Sequence, residues 1–457
     1  MTKKVDGLPC AKGDKYTVEI SDLNHRGEGV GKTAGFTLFI PGALPGEVVE
    51  TRIGTVHKNY AEAVLLKRIG SSPHRVNPPC PYYDHCGGCQ LQHLAYKQQL
   101  DWKQKKVAES LRRIAKIEPA VLPPRGMEDP WRFRNKAQVH IGLESGQINV
   151  GFYEIKSNRI INIEDCLVQH PVNAEMINAV RIALQKYFDT EMKADAEKLP
   201  ITDVTMRTSF ATSECLVTLT GPDPGIKSSD DRLKKLGDLI SAEARKEPAG
   251  IVLELTGQKG IRSFPLFSRP YIEETIGRHR YRISPRSFFQ VNSLQSGALY
   301  KQAASMAGRP HTAFDLYCGT GNFSLYLSTR AEKVVGVDSS RASITDARAN
   351  AKANNTDNVE FIKTRVERDP SLLFKGEHPK TIFLNPPRGG CSTTLLDAIV
   401  KAAPGRIVYI SCNPATLARD LKLLHQNNFS IREVQPVDMF PHTSHIESVV
   451  LIDNENR

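Results

Sequence analysis

No stretch of this 457-residue chain is apolar for the roughly 20 residues a bilayer-spanning helix needs, so a membrane-embedded protein is not expected. The opening Met1-Thr2-Lys3-Lys4-Val5-Asp6-Gly7 carries no apolar core of the kind a secretory signal requires, and the expectation is a cytoplasmic protein. There is no internal repeat and no long low-complexity tract. A Gly-x-Gly-x-x-Gly turn and a Walker sequence are also lacking, which weakens dinucleotide and nucleoside-triphosphate readings. Acidic residues are fewer than basic ones, 50 against 61, and the net charge of +11 favours a polyanionic partner over an acidic protein. Nine cysteines in a reducing compartment do not make a disulfide framework, so clustering among them points to metal or catalysis.

The length calls for two or three domains. Behind a short basic tail, residues 1–11, Tyr16–Ile20, Phe36–Ile40, Glu47–Thr51 and Glu62–Leu66 read as short strands separated by Gly and Pro turns. Four or five such strands in so short a span predict a small closed β-barrel, since an open sheet of that size would expose its edges. The glycine-rich stretch Asp22 to Gly31 and the turn Pro41 to Gly46 resemble a TRAM domain, an OB-like RNA-binding module, over residues 12–70. A linker from Ser71 to Pro79 leads into the cysteines, and Tyr96 to Ile117 reads as a basic amphipathic helix ended by Pro119. Residues 71–280 form a central α+β domain, with helices near 172–188 and 228–245. From 281 to 457, apolar strands alternate with helices, the pattern of a parallel sheet in a doubly wound α/β domain.

Within that last third, the strand Ala313–Leu316 runs into Tyr317-Cys-Gly-Thr-Gly321, and Lys333–Asp338 is a second strand ending in an acid about twenty residues on. A carboxylate there can accept from both hydroxyls of a ribose, so the pair predicts a nucleoside cofactor. Val359–Lys363, Thr381–Asn385 and Arg406–Ser411 continue the strands and bring Asn385 and Cys412 to the same sheet edge as Gly319 and Asp338. Pro414 stops the strand that delivers Cys412, leaving its thiol in a post-strand turn where a nucleophile belongs. Pro130-Trp-Arg-Phe-Arg-Asn-Lys136 interleaves rings with cations and is a candidate RNA contact. Cys80, Cys86, Cys89 and Cys166 are four soft ligands that suit an iron–sulfur cluster or zinc.

The strand succession, with a last strand at Ile446–Ile452, resembles the S-adenosylmethionine-dependent methyltransferase (Rossmann-like) fold, whose seventh strand runs antiparallel. Phe288-Phe-Gln-Val-Asn292, Asn385-Pro-Pro-Arg-Gly-Gly390, Ser411-Cys-Asn-Pro414 and Asp438 to Ser448 together resemble the RNA uracil-5-methyltransferases, nearest the bacterial 23S ribosomal RNA enzymes. The resemblance implies that Gln290, Tyr317, Asn322, Asp338 and Asn385 line the methyl donor, S-adenosylmethionine. It also implies that Cys412 is the nucleophile, that Glu447 is the base, and that the four cysteines hold a structural [4Fe-4S] cluster, zinc being the alternative on ligand type. His445 is a candidate to orient Glu447 or to meet phosphate. Asn385, where the family usually has Asp, and Arg365, where many members have a small amide, depart from the pattern. The expected protein is a monomer acting on 23S ribosomal RNA. Transfer RNA, an amine substrate read from Asn-Pro-Pro, and a non-catalytic RNA-binding assembly factor are the alternatives.

Overall fold

The computed structural model describes residues 9–192, 201–227, 230–368, 370, 374 and 379–456. Residues 1–8 of the basic tail and residues 228–229 at the start of the second central helix lie outside them. Five strands, β1 (Lys15–Leu23), β2 (Gly29–Thr33), β3 (Phe36–Ile40), β4 (Val48–Val56) and β5 (Tyr60–Arg68), close into a barrel in the order β1-β2-β3-β5-β4. Their alternation turns Val18, Ile20, Leu38, Ile40, Val49 and Ile53 inward. The expected turn at residues 41–46 crosses β2 so tightly that a Cβ on Gly29 would lie 2.8 Å from the Ala43 carbonyl.

Helix α1 (Tyr96–Ser110) is shorter than the periodicity predicts. It widens into a π-helical turn over Leu111–Ala115 and stops at Lys116, whose φ is +60°. The wider turn brings Leu111 and Ala115 with Val107 into the C-terminal core against Leu417, Leu421 and Val434. Trp102, on another face of α1, packs with Leu23 and Leu44 of the barrel. One helix thus joins barrel to C-terminal domain.

The central sheet uses β6 (Lys136–Glu144), β7 (Gln147–Tyr153), β8 (Ile160–Asn162), β9 (Asp203–Thr208), β10 (Cys215–Pro222), β11 (Gly250–Gly257) and β12 (Gly260–Ser268), in the order β12-β11-β10-β9-β6-β7-β8. Helices α2 (Pro171–Tyr187) and α3 (Asp231–Glu243) cover one face through Ile177, Val180, Leu236 and Ile240. A hairpin of β13 (Ile272–Ile276) and β14 (His279–Ile283) follows, and its Ile272, Ile276, Tyr281 and Ile283 belong to the core of the next domain. The chain therefore enters that core several residues before 281.

The C-terminal domain runs α4 (Ser293–Ala307), β15 (Thr312–Leu316), α5 (Asn322–Leu327), β16 (Lys333–Asp338), α6 (Arg341–Ala353), β17 (Val359–Lys363), β18 (Thr381–Leu384), α7 (Thr393–Ala402), β19 (Arg406–Ser411), α8 (Pro414–Gln426), β20 (Phe429–Val437) and β21 (Glu447–Asn454). Its strand order is β17-β16-β15-β18-β19-β21-β20, parallel except that β21 runs antiparallel to both β19 and β20. The order reverses between β15 and β18, and the crevice outside the carboxyl ends of those strands is where such sheets take ligands. Among the described residues no helix is long and apolar enough to cross a membrane.

Candidate active site and thiol cavity

At the end of β15 the backbone passes through Tyr317 at φ +66° and Gly319 at +56° before α5 starts. Gly321 is required there: at φ +77°, a Cβ would sit 2.7 Å from the Phe361 ring. Asp338, closing β16, accepts from Gly319 N (3.0 Å) and Ser340 N (2.7 Å), so one carboxylate holds both strand-end turns in register. Phe288 borders Gly319, which brings the Phe-Phe-Gln-Val-Asn segment over the glycine turn, and Gln290 is fastened there by Asn135 Nδ2 donating to its carbonyl at 2.8 Å. Asn385 N donates to Leu316 O at 3.3 Å, so Asn385 adjoins Tyr317. Tyr317 turns its hydroxyl to Glu367 at 2.8 Å. Asn322 is buried beneath the turn and accepts from Thr320 Oγ1 at 2.8 Å. The 288–290 segment, the turn at Tyr317–Gly319, Asp338 and Asn385 are thus brought to the carboxyl ends of β15, β16 and β18, with Asn322 buried beneath the turn. Arg365 is exposed beyond β17.

Cys412 occupies the turn between β19 and α8. Asn413 accepts from Ala415 N at 3.1 Å as the helix cap, and Pro414 takes the first helical position, where its missing N–H costs nothing. In the antiparallel register Ser411 faces Ser448, so the next pair outward is Cys412 and Glu447. Glu447 is fully enclosed and its Oε2 has no hydrogen-bond partner. Burial pushes its pKa up to about 8, and the Arg388 guanidinium holds it from rising further. Burial, then the Glu447 charge, pushes the Cys412 thiol up to about 11, again with Arg388 opposing.

Arg388, fourth residue of the Asn-Pro-Pro-Arg segment, reaches the same turn, although its motif alone assigns it no task. Its carbonyl accepts from Asn413 Nδ2 (3.1 Å) and Thr416 Oγ1 (3.2 Å), which seats the loop on the cysteine turn. Its Nη2 lies 3.4 Å from His445 Nε2. His445 therefore faces Arg388, and burial with nearby cations holds its ring neutral, lowered to about 4.

The aromatic and basic segment at 130–136 turns inward. Arg132 forms a bidentate pair with Asp165 (2.6 and 2.7 Å), Phe133 is fully buried, and Arg134 lines a cavity with the cysteines. That cavity, about 40 Å³, is lined by Cys80, Cys86, Cys89 and Cys166 together. Burial raises all four thiols, Cys89 to about 12 and Cys166 to about 11. Among the described residues no three His, Cys, Asp or Glu side chains are drawn close enough to grip a single ion.

Comparison with known proteins bears on both sites. The tRNA (Uracil-5-)-methyltransferase family matches residues 95–455, and the TRAM domain matches residues 11–66. An uncharacterized RNA methyltransferase of Clostridium tetani is 39% identical over 453 residues, covering 97% of each chain. Another, of Halalkalibacterium halodurans, is 39% identical over 455 residues, covering 98% of this chain and 99% of its own. The crystal structure of a Pyrococcus abyssi tRNA (uracil-54, C5)-methyltransferase in complex with S-adenosyl-L-homocysteine superposes with a TM-score of 0.72 at 28% identity, over 96% of this chain and all of that one.

Proposed function

Because the chain belongs to the tRNA (Uracil-5-)-methyltransferase family and carries a TRAM domain, we propose that it methylates carbon 5 of a uridine in 23S ribosomal RNA through Cys412 and Glu447. The observation that carries the chemistry is the pairing of a thiol and an enclosed carboxylate across β19 and β21, beside the crevice of Asp338. Carbon 5 of uracil is too weak a nucleophile to take a methyl group unaided. The Cys412 thiolate adds to carbon 6, and the displaced pair makes carbon 5 nucleophilic. S-adenosylmethionine, bound in the crevice, supplies the electrophilic methyl and leaves as S-adenosylhomocysteine. Glu447 then takes the carbon 5 proton, the carbon 5–carbon 6 double bond reforms, and Cys412 leaves as thiolate. Arg388 stabilises both anions from the solvent side. Gln290, Tyr317 and Asn385 line the donor, Asn322 holds the turn beneath it, and Asp338 presents its remaining lone pairs to a ribose.

The family resemblance favours a [4Fe-4S] cluster at the four cysteines, with zinc the alternative on ligand type. Tetrahedral zinc draws its sulfurs to about 2.3 Å from one point, whereas an eight-atom cube needs ligands standing apart around a void. Four cysteines lining one cavity supply the four thiolates that such a cluster takes. Arg134, buried there with an unpartnered Nε, offers a cation to an anionic group.

Ribosomal RNA is favoured by the combination of cysteine quartet and TRAM module. Transfer RNA is the second reading, favoured by the likeness to the Pyrococcus abyssi protein over nearly the whole chain. RNA carrying 5-fluorouridine at the target should form a covalent adduct with the protein and S-adenosylmethionine, because fluorine cannot leave as a proton. Cys412→Ala should abolish it, and an adduct surviving in that variant would refute the nucleophile. Mapping 5-methyluridine in both RNA classes from a deletion strain separates the substrates.

A further inference from the structure

Glu447 is delivered by the loop that follows β20, and that loop is tied to the segments bearing the cysteines. Immediately after Cys89, the backbone N–H groups of Gln90 and Leu91 both donate to the His442 carbonyl, at 3.0 and 2.9 Å. Gln90 Oε1 accepts from Ser444 N at 3.3 Å. Buried Gln99 donates to Leu91 O and Leu94 O (3.0 and 2.8 Å), accepts from His442 N (3.0 Å), and lies 3.2 Å from His442 Nδ1. The other side of the thiol cavity reaches the same residue. Arg132 clamps Asp165 and donates to the Cys166 carbonyl at 3.1 Å, and its neighbour Trp131 stacks on the His442 ring at 3.8 Å and 20°.

His442 itself stands at φ +63°, in the left-handed region that side-chain-bearing residues seldom adopt. Such a conformation persists where the surroundings over-determine it. Here the segment after Cys89 and the Trp131 segment, itself fastened to Cys166 through Arg132, do so, five residues before Glu447.

We propose that His442 is a positioning residue that couples the aim of Glu447 to the integrity of the thiol cavity. The inference rests on the reading of Glu447 as the base. While the cavity segments are held together, His442 is fixed and the carboxylate is kept opposite Cys412. When they separate, the loop relaxes and proton removal fails. The glycine turn and Asp338, on β15 and β16, are separated from β21 by β18 and β19, so their hold on the methyl donor is spared.

The test uses the full chain, uridine-containing target RNA and S-adenosylmethionine. His442→Ala should lower kcat at least tenfold, leave the KM for S-adenosylmethionine within twofold, and accumulate a methylated covalent protein–RNA adduct. His442→Asn, which tolerates the left-handed backbone and keeps an acceptor, should restore much of the turnover. Trp131→Leu removes only the stack and should accumulate the same adduct even if His442→Ala proves insoluble. In Cys89→Ser protein, amide exchange across residues 439–446 should quicken while that across 316–322 does not. If His442→Ala and Trp131→Leu turn over normally, or lose donor affinity together with kcat and form no adduct, the coupling is overturned. Glu447→Gln run in parallel separates the two ideas. If it traps no adduct, the base assignment itself fails; if it traps adduct and the other two do not, only the coupling fails.

Discussion

Glu447→Gln should stabilise this protein at neutral pH. The carboxyl is enclosed, one oxygen has no partner, and burial raises its pKa from the ordinary 4.5 to about 8. Below pH 4.5 the group is neutral both folded and unfolded, and stability is unaffected. Between 4.5 and 8 the unfolded chain gains by ionising while the folded one does not, so stability falls as pH rises and levels off only above the folded value. At pH 7 the difference is 2.5 pH units at 1.36 kcal/mol each, about 3 kcal/mol. Glutamine never titrates and recovers it. Urea unfolding of both proteins at pH 4.5, 6 and 7 should give a gap that opens from near zero to about 3 kcal/mol, with unchanged m-values. Equal stability at pH 7, or a gap that widens on acidification, would refute the reasoning and mean that Arg388 keeps Glu447 ionised in the resting protein.

Lys103 and Asp438 form a wholly buried ion pair at 2.7 Å, with Tyr96 also donating to Asp438 at 3.0 Å, so Lys103→Met should cost about 3–5 kcal/mol by stranding the carboxylate. The double variant Lys103→Met/Asp438→Asn should regain much of that in the same unfolding assay. Anaerobically purified protein should be brown and carry about four irons per chain, the stoichiometry of a [4Fe-4S] cluster; colourless protein with one zinc would overturn that assignment. Asn385→Asp restores the charged acceptor usual in the family, and should tighten S-adenosylmethionine binding in calorimetry by about 1–2 kcal/mol, near tenfold. A loss of affinity would mean that the amide suits its site.

The barrel and the parallel sheet were legible because their signals are local: alternation with glycine turns in the first, strand–helix alternation in the second. Strand β20 escaped for an equally local reason. Its sequence, Phe-Ser-Ile-Arg-Glu-Val-Gln-Pro-Val, breaks alternation and contains Pro436, and it lies at the sheet edge, where proline is tolerated. The end of α1 escaped because a π turn departs from the 3.6-residue period on which the reading relied. The segment Trp131–Lys136 shows what composition cannot decide. Arg132 and Arg134 look like phosphate contacts until Asp165 and the thiol cavity, both distant in sequence or fold, claim them. Cys412 and Glu447 were recognised as residue types in motifs; that they face one another follows from an antiparallel register no motif states.

That register has a consequence for the order of proton transfers in the proposed reaction. Burial raises both groups, the Glu447 charge adds to the rise at Cys412, and Arg388 opposes each, so both protons are held more tightly than in water. Thiolate formation, with the thiol proton passing to solvent, is easiest while Glu447 is neutral, which places addition to carbon 6 before ionisation of the base. Once the sulfur is bonded to carbon it carries no charge, and the repulsion that opposed a carboxylate opposite it disappears. Glu447 then gives its proton to solvent more readily at the stage that needs a base. When the proton leaves carbon 5, Glu447 is neutralised again as the thiolate departs, so the crevice never has to hold two buried anions at once. Burial makes both groups poor acids at rest, the Glu447 charge that further opposes the thiolate orders their use, and Arg388, exposed and seated by its carbonyl on the cysteine turn, carries the compensating charge through both stages.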